Sequence, residues 1–378
     1  MRTAIVHYWL LGMRGGERVV EALCRLLPNA DIFTLFYDPE RVSEEIRSHR
    51  VFSSFLNRYR RYYRSLLPLM PLALEQFDLR DYDLVISSES GPAKGVITSS
   101  RTRHICYCHS PMRYLWDLYP NYTRDWTHSR FRRLAIPPLA NYLRLWDYAS
   151  AARVDEFVAN SQNVRRRIWK TYRREARVIY PPVDVGSFYS ADPDDYYLIV
   201  SELVAYKRVG DAVASFSRSG RKLKIVGDGP EFRSLRAAAG PEIEFCGRVP
   251  EEQLRQLYAH ARAVVIPGEE DFGIVAVEAV ASGKPLIAIG RGGVLEAAPP
   301  DYSRGAFLYK EPGECFLTEA VVEFEKVEPY ISATGIQAHA AKFSEKRFFR
   351  EMSDLIWDPE FVSATESGCF YKTFTSEK

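Results

Sequence analysis

Two glutamates eight positions apart, Glu270 and Glu278, are the side chains best placed in this sequence to do chemistry. They lie in the passage Pro267-Gly-Glu-Glu-Asp-Phe-Gly-Ile-Val-Ala-Val-Glu-Ala-Val-Ala-Ser-Gly-Lys-Pro285, which reads as strand end, glycine-bearing turn and helix start. A strand over 263–266 would deliver Glu270 and Phe272-Gly273-Ile274 to the turn, and a helix over about 274–281 would carry Glu278 roughly one turn inside. The first N–H groups of a helix have no partner within it, and its dipole places about half a positive charge there, so the turn attracts oxyanions. Carboxylates beside that spot bind phosphate poorly but accept well from sugar and ribose hydroxyls. A nucleotide sugar, which joins a diphosphate to hydroxyl-rich rings, satisfies both halves. The plainer alternative is an amphipathic helix with an acidic first turn stabilised by its own dipole.

The elements that must position these groups alternate along the chain. Short β-branched runs at 4–8, 31–35, 84–87, 104–108, 156–159 and 176–179, then at 197–200, 223–226, 243–245, 263–266, 285–289 and 305–308, are separated by helical stretches. That alternation predicts an α/β protein of parallel, helix-covered sheets. A chain of 378 residues is too long for one ordinary core. The paired prolines of Tyr180-Pro-Pro-Val-Asp184 mark an extended join. The expected organisation is two Rossmann-like, doubly wound domains over 1–180 and 181–343, facing a cleft. A helix and tail over 344–378 are expected to pack back on the first. In such sheets ligands collect at the carboxyl ends of the strands.

Composition narrows the classes. An apolar content of 46% with 26% charged residues is that of a globular protein, and no apolar run of membrane-spanning length exists. The first ten residues read as a buried strand rather than a secretory signal, so a cytosolic address is expected. Six scattered cysteines include one close pair, Cys106 and Cys108 beside His109, which fits a buried strand better than a metal site. Asp81-Tyr-Asp83 and Asp192-Pro-Asp194 superficially resemble a metal-binding pair but read as solvated turns. The net charge of +2 hides an asymmetry: residues 1–180 hold 29 Lys and Arg against 18 Asp and Glu, and the remainder 22 against 31. The cations concentrate at Arg58-Tyr-Arg-Arg-Tyr-Tyr-Arg64 and from Arg165 to Arg177. A helix of arginines and tyrosines flanked by Phe52, Phe55 and Met70 could meet an anionic membrane through residues 52–70, bind single-stranded nucleic acid, or simply be a solvated face. No nucleic-acid module accompanies it, so nucleic acid is not an expected partner.

Four features together resemble the retaining nucleotide-sugar glycosyltransferases of family 4: Gly12-Met-Arg-Gly15-Gly16-Glu17, Lys207 after the first strand of the second half, Gly227-Asp-Gly229-Pro, and the glutamate pair. The resemblance covers roughly residues 1–355 and implies the two-lobed architecture called GT-B. His-Ser-Pro-Met-Arg-Tyr at 109–114 looks most like bacterial O-antigen and polysaccharide mannosyltransferases.

That likeness implies roles for individual residues. Departure of a nucleoside diphosphate builds negative charge on its bridging oxygen, which GT-B enzymes neutralise with side chains and helix dipoles rather than a metal. Lys207 is the first choice for that cation and Arg208 the second. Gly12, Gly15 and Gly16 would let backbone approach the diphosphate. Glu278 matches the acceptor for ribose hydroxyls, and Glu270 with the backbone of Phe272, Gly273 and Ile274 matches the holder of the transferred sugar. Arg248 and Val249 match the segment lining the base, and His109 a histidine beside the sugar. Where relatives read Gly-Arg-Leu-Val, this chain has Ser201-Glu202-Leu203-Val204, and Glu202 would oppose an anionic donor unless turned away.

The resulting expectation is a hexosyltransferase that retains anomeric configuration and uses no metal or other cofactor. It would move mannose from GDP-mannose to a lipid-linked glycan on the inner face of the cell membrane. A nucleotide-sugar epimerase of the same fold and a catalytically silent nucleotide-sugar binder are the alternatives. An NAD-dependent dehydrogenase is disfavoured, because the first loop lacks Gly-x-Gly-x-x-Gly.

Overall fold

A computed structural model describes residues 1–120, 130–299 and 305–358. The tail 359–378, with Cys369, lies outside the described residues. The chain forms two compact units. One comprises residues 1–160, 164–180 and 348 onward; the other comprises 161–163 and 181–347.

The first unit is built on a parallel sheet of seven strands: β1 (Thr3–His7), β2 (Asp31–Thr34), β3 (Val51–Ser53), β4 (Leu84–Glu89), β5 (Arg103–Cys108), β6 (Glu156–Ala159) and β7 (Ala176–Val178). Their order is β3-β2-β1-β4-β5-β6-β7. Period-two alternation assigns the strands' residues to two apolar layers. Ile5, Ile32, Ile86 and Ile105 pack with Val19 and Leu23 of helix α1 (Gly15–Leu26) and with Phe348, Met352 and Leu355 of the helix Glu345–Ile356. Ala4, Val6, Phe33 and Val85 instead pack with Leu56 and Met70. Strand β3 lies outside the runs expected from the sequence: it is a short edge strand with none of its three residues buried, so it lacks the apolar run that marks the others.

The second unit is a six-stranded parallel sheet of β8 (Tyr197–Val200), β9 (Leu223–Val226), β10 (Ile243–Gly247), β11 (Val264–Ile266), β12 (Leu286–Ile289) and β13 (Ala306–Tyr309), in the order β10-β9-β8-β11-β12-β13. Both units are therefore Rossmann-like, with strand order reversing between β1 and β4 in one and between β8 and β11 in the other. The crevice at such a reversal is where ligands settle in doubly wound sheets.

One segment departs from expectation. Residues Phe55–Leu69 wind as 3-10 turns rather than an α-helix, and Tyr59 and Tyr62 leave helical dihedrals. Pro68 supplies no N–H to this segment. The two kinks fall three residues apart, the repeat of a 3-10 turn.

A buried charge cluster supports the carboxyl end of β4. Lys94 is paired with Asp147 and lies 3.5 Å from Glu89, and all three side chains are fully buried. Asp147 also accepts from the indole N–H of Trp116 at 2.8 Å and from Tyr172 Oη at 3.0 Å. One cation faces two carboxylates, and burial, against the pull of Lys94, pushes Glu89 up to about 7. A raised carboxyl contributes stability fully below its unfolded value and loses that contribution as pH rises through the folded one. Wild-type protein is thus expected to lose on the order of 3 kcal/mol relative to Glu89→Gln between about pH 4.5 and 7. Chemical denaturation of both proteins across that window measures it, and parallel stability curves would refute the assignment.

Candidate functional site

In the second unit the reversal of strand order brings Lys207 and Glu270 together. Lys207 ends a 3-10 turn, Ala205–Lys207, on the chain leaving β8, and Glu270 lies on the chain leaving β11. Their side chains form an ion pair and are less than one fifth exposed. Burial opposes the charge of Lys207, but Glu270 and then Tyr206 outweigh it, so the ammonium is held above its ordinary value. The two turns approach closely because residue 268 is glycine: a Cβ there would stand 2.6 Å from Lys207 Cα. Arg208, the second candidate cation, adopts the left-handed conformation (φ 54°, ψ 31°), caps the helix Val209–Ser219 and gives its Nε to Asp211 at 2.7 Å.

The helix after this turn, Ile274–Ala281, starts at Gly273, whose φ of 91° suits glycine. It has no acid in its first turn, and Ala276, Val277, Ala279, Val280 and Ala281 are buried. It is therefore a core helix rather than an amphipathic surface helix with an acidic start. Glu278 accepts a hydrogen bond from Tyr258 Oη at 2.7 Å. Tyr258 escaped the sequence reading because nothing local marks a tyrosine ending one helix as the partner of an acid on another. Phe272 contributes backbone to the turn while its ring is buried near that of Phe343, with centroids 5.5 Å apart. Ser161 Oγ and Asn163 Nδ2 donate to the carbonyl of Asp271 at 2.8 and 3.3 Å, fixing the turn from a stretch the sequence reading passed over. Arg248, exposed, and Val249 follow the edge strand β10, two strands from β8. The Ser201 backbone is packed on Gly227, where a Cβ would lie 1.9 Å from the Ser201 carbonyl oxygen, and the Leu203 backbone on Gly229, where it would lie 2.3 Å from the Leu203 carbonyl oxygen.

In the first unit three rings converge on the start of α1. A Cβ at Gly16 would lie 3.2 Å from Tyr8 Oη, 3.5 Å from His7 Cε1 and 3.6 Å from His109 Nε2. His109 follows β5, and its Nε2 is 2.9 Å from Ser88 Oγ. The carbonyl of Ser88 lies 3.2 Å from His7 Nδ1. A carbonyl only accepts, so His7 carries its hydrogen on Nδ1. His7 Nε2 is buried without a hydrogen-bond partner among the described residues. Burial, then the charge of His109, lowers His7 to about 3, so the ring is neutral near pH 7. Glu17 accepts from the Arg14 N–H at 3.2 Å, and burial pushes it up to about 7. Gly12 and Gly15 lie on the turn that leads into α1 and at its first residue. Sequence reading singled out His109, the glycines and, within their motif, Glu17, but missed His7, Tyr8 and Ser88. Their signal was polar side chains at the carboxyl ends of otherwise apolar strands. Among the described residues, no three His, Cys, Asp or Glu side chains are grouped as a metal ion would require. Cys106 and Cys108 are buried in β5.

The chain's relatives bear on these two clusters. The glycosyltransferase family 4 model matches residues 13–187, and the glycosyl transferases group 1 model matches residues 187–326. The chain is glycosyltransferase family 4-like, with the GT-B fold. An uncharacterized glycosyltransferase of Methanocaldococcus jannaschii, MJ1178, is 25% identical over 197 residues, which are 51% of this chain and 55% of that protein. This family 4-like chain therefore spans about half the length of that relative. In fold it resembles HepE of Anabaena, solved in complex with UDP, with a TM-score of 0.68 at 14% identity over 95% of this chain and all of that one. Sucrose-phosphate synthase of Thermosynechococcus elongatus gives a TM-score of 0.70 at 16% identity, covering 96% of this chain and all of that one.

Proposed function

We propose that this protein transfers a hexose from a nucleotide sugar to a glycan acceptor with retention of configuration and without a metal. The observation that carries the reading is the Lys207–Glu270 pair at the start of the helix Ile274–Ala281: a cation, an acceptor and a helix N-terminus within one turn. Lys207 neutralises the departing diphosphate, Glu270 takes hydroxyls of the transferred sugar, and Glu278, held by Tyr258, takes those of the ribose. Same-face attack lets the leaving phosphate oxygen receive the acceptor's proton, so Glu270 forms no covalent bond. The donor we favour is GDP-mannose and the acceptor a lipid-linked glycan of polysaccharide or O-antigen synthesis, both on the likeness of residues 109–114. The HepE complexes with UDP and UDP-glucose make UDP sugars the first competitors.

Thermal shift against a panel of nucleotides and nucleotide sugars is the primary test. A ligand at 100 times its dissociation constant adds about 2.7 kcal/mol of stability. Stabilisation by GDP-mannose beyond that by UDP-glucose, with a hexose added to acceptor by mass, supports the reading. No response to any nucleotide sugar would end it, and conversion of the donor without an acceptor would mark an epimerase.

A further inference from the structure

Large apolar side chains exposed to solvent are concentrated in two short stretches of the first unit. Phe55, Tyr59, Tyr62, Leu69 and Leu72 belong to one, and Leu134, Tyr142, Leu145 and Tyr148 to the other. The second stretch is the helix Arg130–Ser150, here α2. At 100° per residue, Leu134, Pro138, Tyr142, Leu145 and Tyr148 fall on one side with Asn141 among them, and Ala140, Leu143, Asp147 and Ser150, all buried, on the other. Leu134 is 78% exposed and Leu145 64%, so the outward side carries large apolar side chains over about 21 Å of helix. A helix side lined with large apolar side chains is ordinarily covered. Among the described residues no helix is long and apolar enough to cross a membrane, so the outward side meets a surface rather than spanning one.

Charge decides which surface. Between Glu45 and Glu75 the sequence has six arginines and no acid, and between Asp125 and Asp147 four arginines and no acid. Arg58 and Arg61 stack on their neighbours Tyr59 and Tyr62, with guanidinium to ring-centroid distances of 4.8 and 5.9 Å, which keeps cation and aromatic ring on the same outward patch. The two stretches are joined underneath: Leu67 of the first packs in one apolar cluster with Leu139, Leu143 and Trp146 of α2. A second copy of the chain would set the same arginines against each other across a two-fold contact. An anionic bilayer offers both an apolar interior for the Leu and Tyr side chains and negative headgroups for the arginines.

We infer that the 55–72 segment and the outward side of α2 form one docking surface for an anionic lipid bilayer, lying in the headgroup region. The inference does not depend on the transfer reaction, and its test needs no substrate. The full chain is sedimented with phosphatidylcholine vesicles with and without phosphatidylglycerol, at low and high salt. Two variants are compared, Leu134→Asp/Leu145→Asp and Arg58→Glu/Arg61→Glu; both change exposed positions, and thermal melts show whether each stays folded. Salt-sensitive binding to the anionic vesicles alone, weakened about tenfold or more by either variant, is the expected result. Absent binding, equal binding to both vesicle types, or full retention of binding by the folded leucine variant would overturn it. So would a wild-type dimer by light scattering that the leucine variant turns into a monomer, since a second copy would then cover the surface.

Discussion

Replacing Lys207 with alanine is expected to reduce hexose transfer by roughly 30- to 4,000-fold, the equivalent of about 2 to 5 kcal/mol for a partly desolvated charged donor. The loss should fall mainly on kcat, because negative charge on the bridging phosphate oxygen grows as the sugar departs and the ammonium answers it most strongly at that stage. Removal of the amine also strands Glu270, which is mostly buried and has Lys207 as its ion-pair partner. A thermal melt of the variant, and a companion Lys207→Ala/Glu270→Gln protein that relieves the stranded charge, separate lost chemistry from lost stability. Arg208 is a poor substitute cation: its guanidinium is engaged by Asp211, and its left-handed backbone ties it to the helix cap. Steady-state kinetics under donor saturation measure the effect. Undiminished turnover by a folded Lys207→Ala protein would remove this residue from the mechanism.

The architecture was legible in the sequence because it rests on repeated local signals. Twelve β-branched runs at helical separations allow little besides parallel sheets, and the thirteenth strand, β3, was lost because Val51–Ser53 is a short edge strand with no buried residue. Glu270, Glu278 and Lys207 could be picked out because their motifs are contiguous and sit after strands. Their partners could not. The contact between Lys207 and Glu270 spans 63 positions and depends on β8 and β11 being neighbours at the reversal of strand order. Tyr258 reaches Glu278 across two different helices, and Ser88 reaches His109 from the adjacent strand. Such pairings are properties of strand order, which the periodicity of single elements leaves open. The 3-10 winding of Phe55–Leu69 was hidden for another reason: its arginines, leucines and tyrosines are tolerated in an α-helix, so their types do not mark the departures at Tyr59 and Tyr62.

Neutralising Glu270 is expected to move two observables in opposite directions. Without ligand, the carboxylate holds the ammonium of Lys207, and an incoming diphosphate must displace it. Glu270→Gln removes both the competitor for Lys207 and a negative charge beside the bound phosphates. A nucleoside diphosphate lacking sugar should therefore bind the variant about tenfold more tightly, a gain of about 1.4 kcal/mol. Transfer should fall, because an amide accepts from sugar hydroxyls more weakly than a carboxylate does. A hydrogen bond to a charged group contributes about 1.5 to 3 kcal/mol, or roughly 10- to 150-fold in rate if it is made in the transition state. Calorimetry with GDP and UDP, beside transfer rates for the same protein, reads both. Weaker or unchanged nucleotide binding would show that Glu270 does not compete for Lys207. Unchanged transfer would show that it does not hold the sugar. Tighter nucleotide binding with slower transfer is the pattern peculiar to a carboxylate that guards the cation at rest and yields it to the donor, exchanging an ion pair for contacts with the transferred ring.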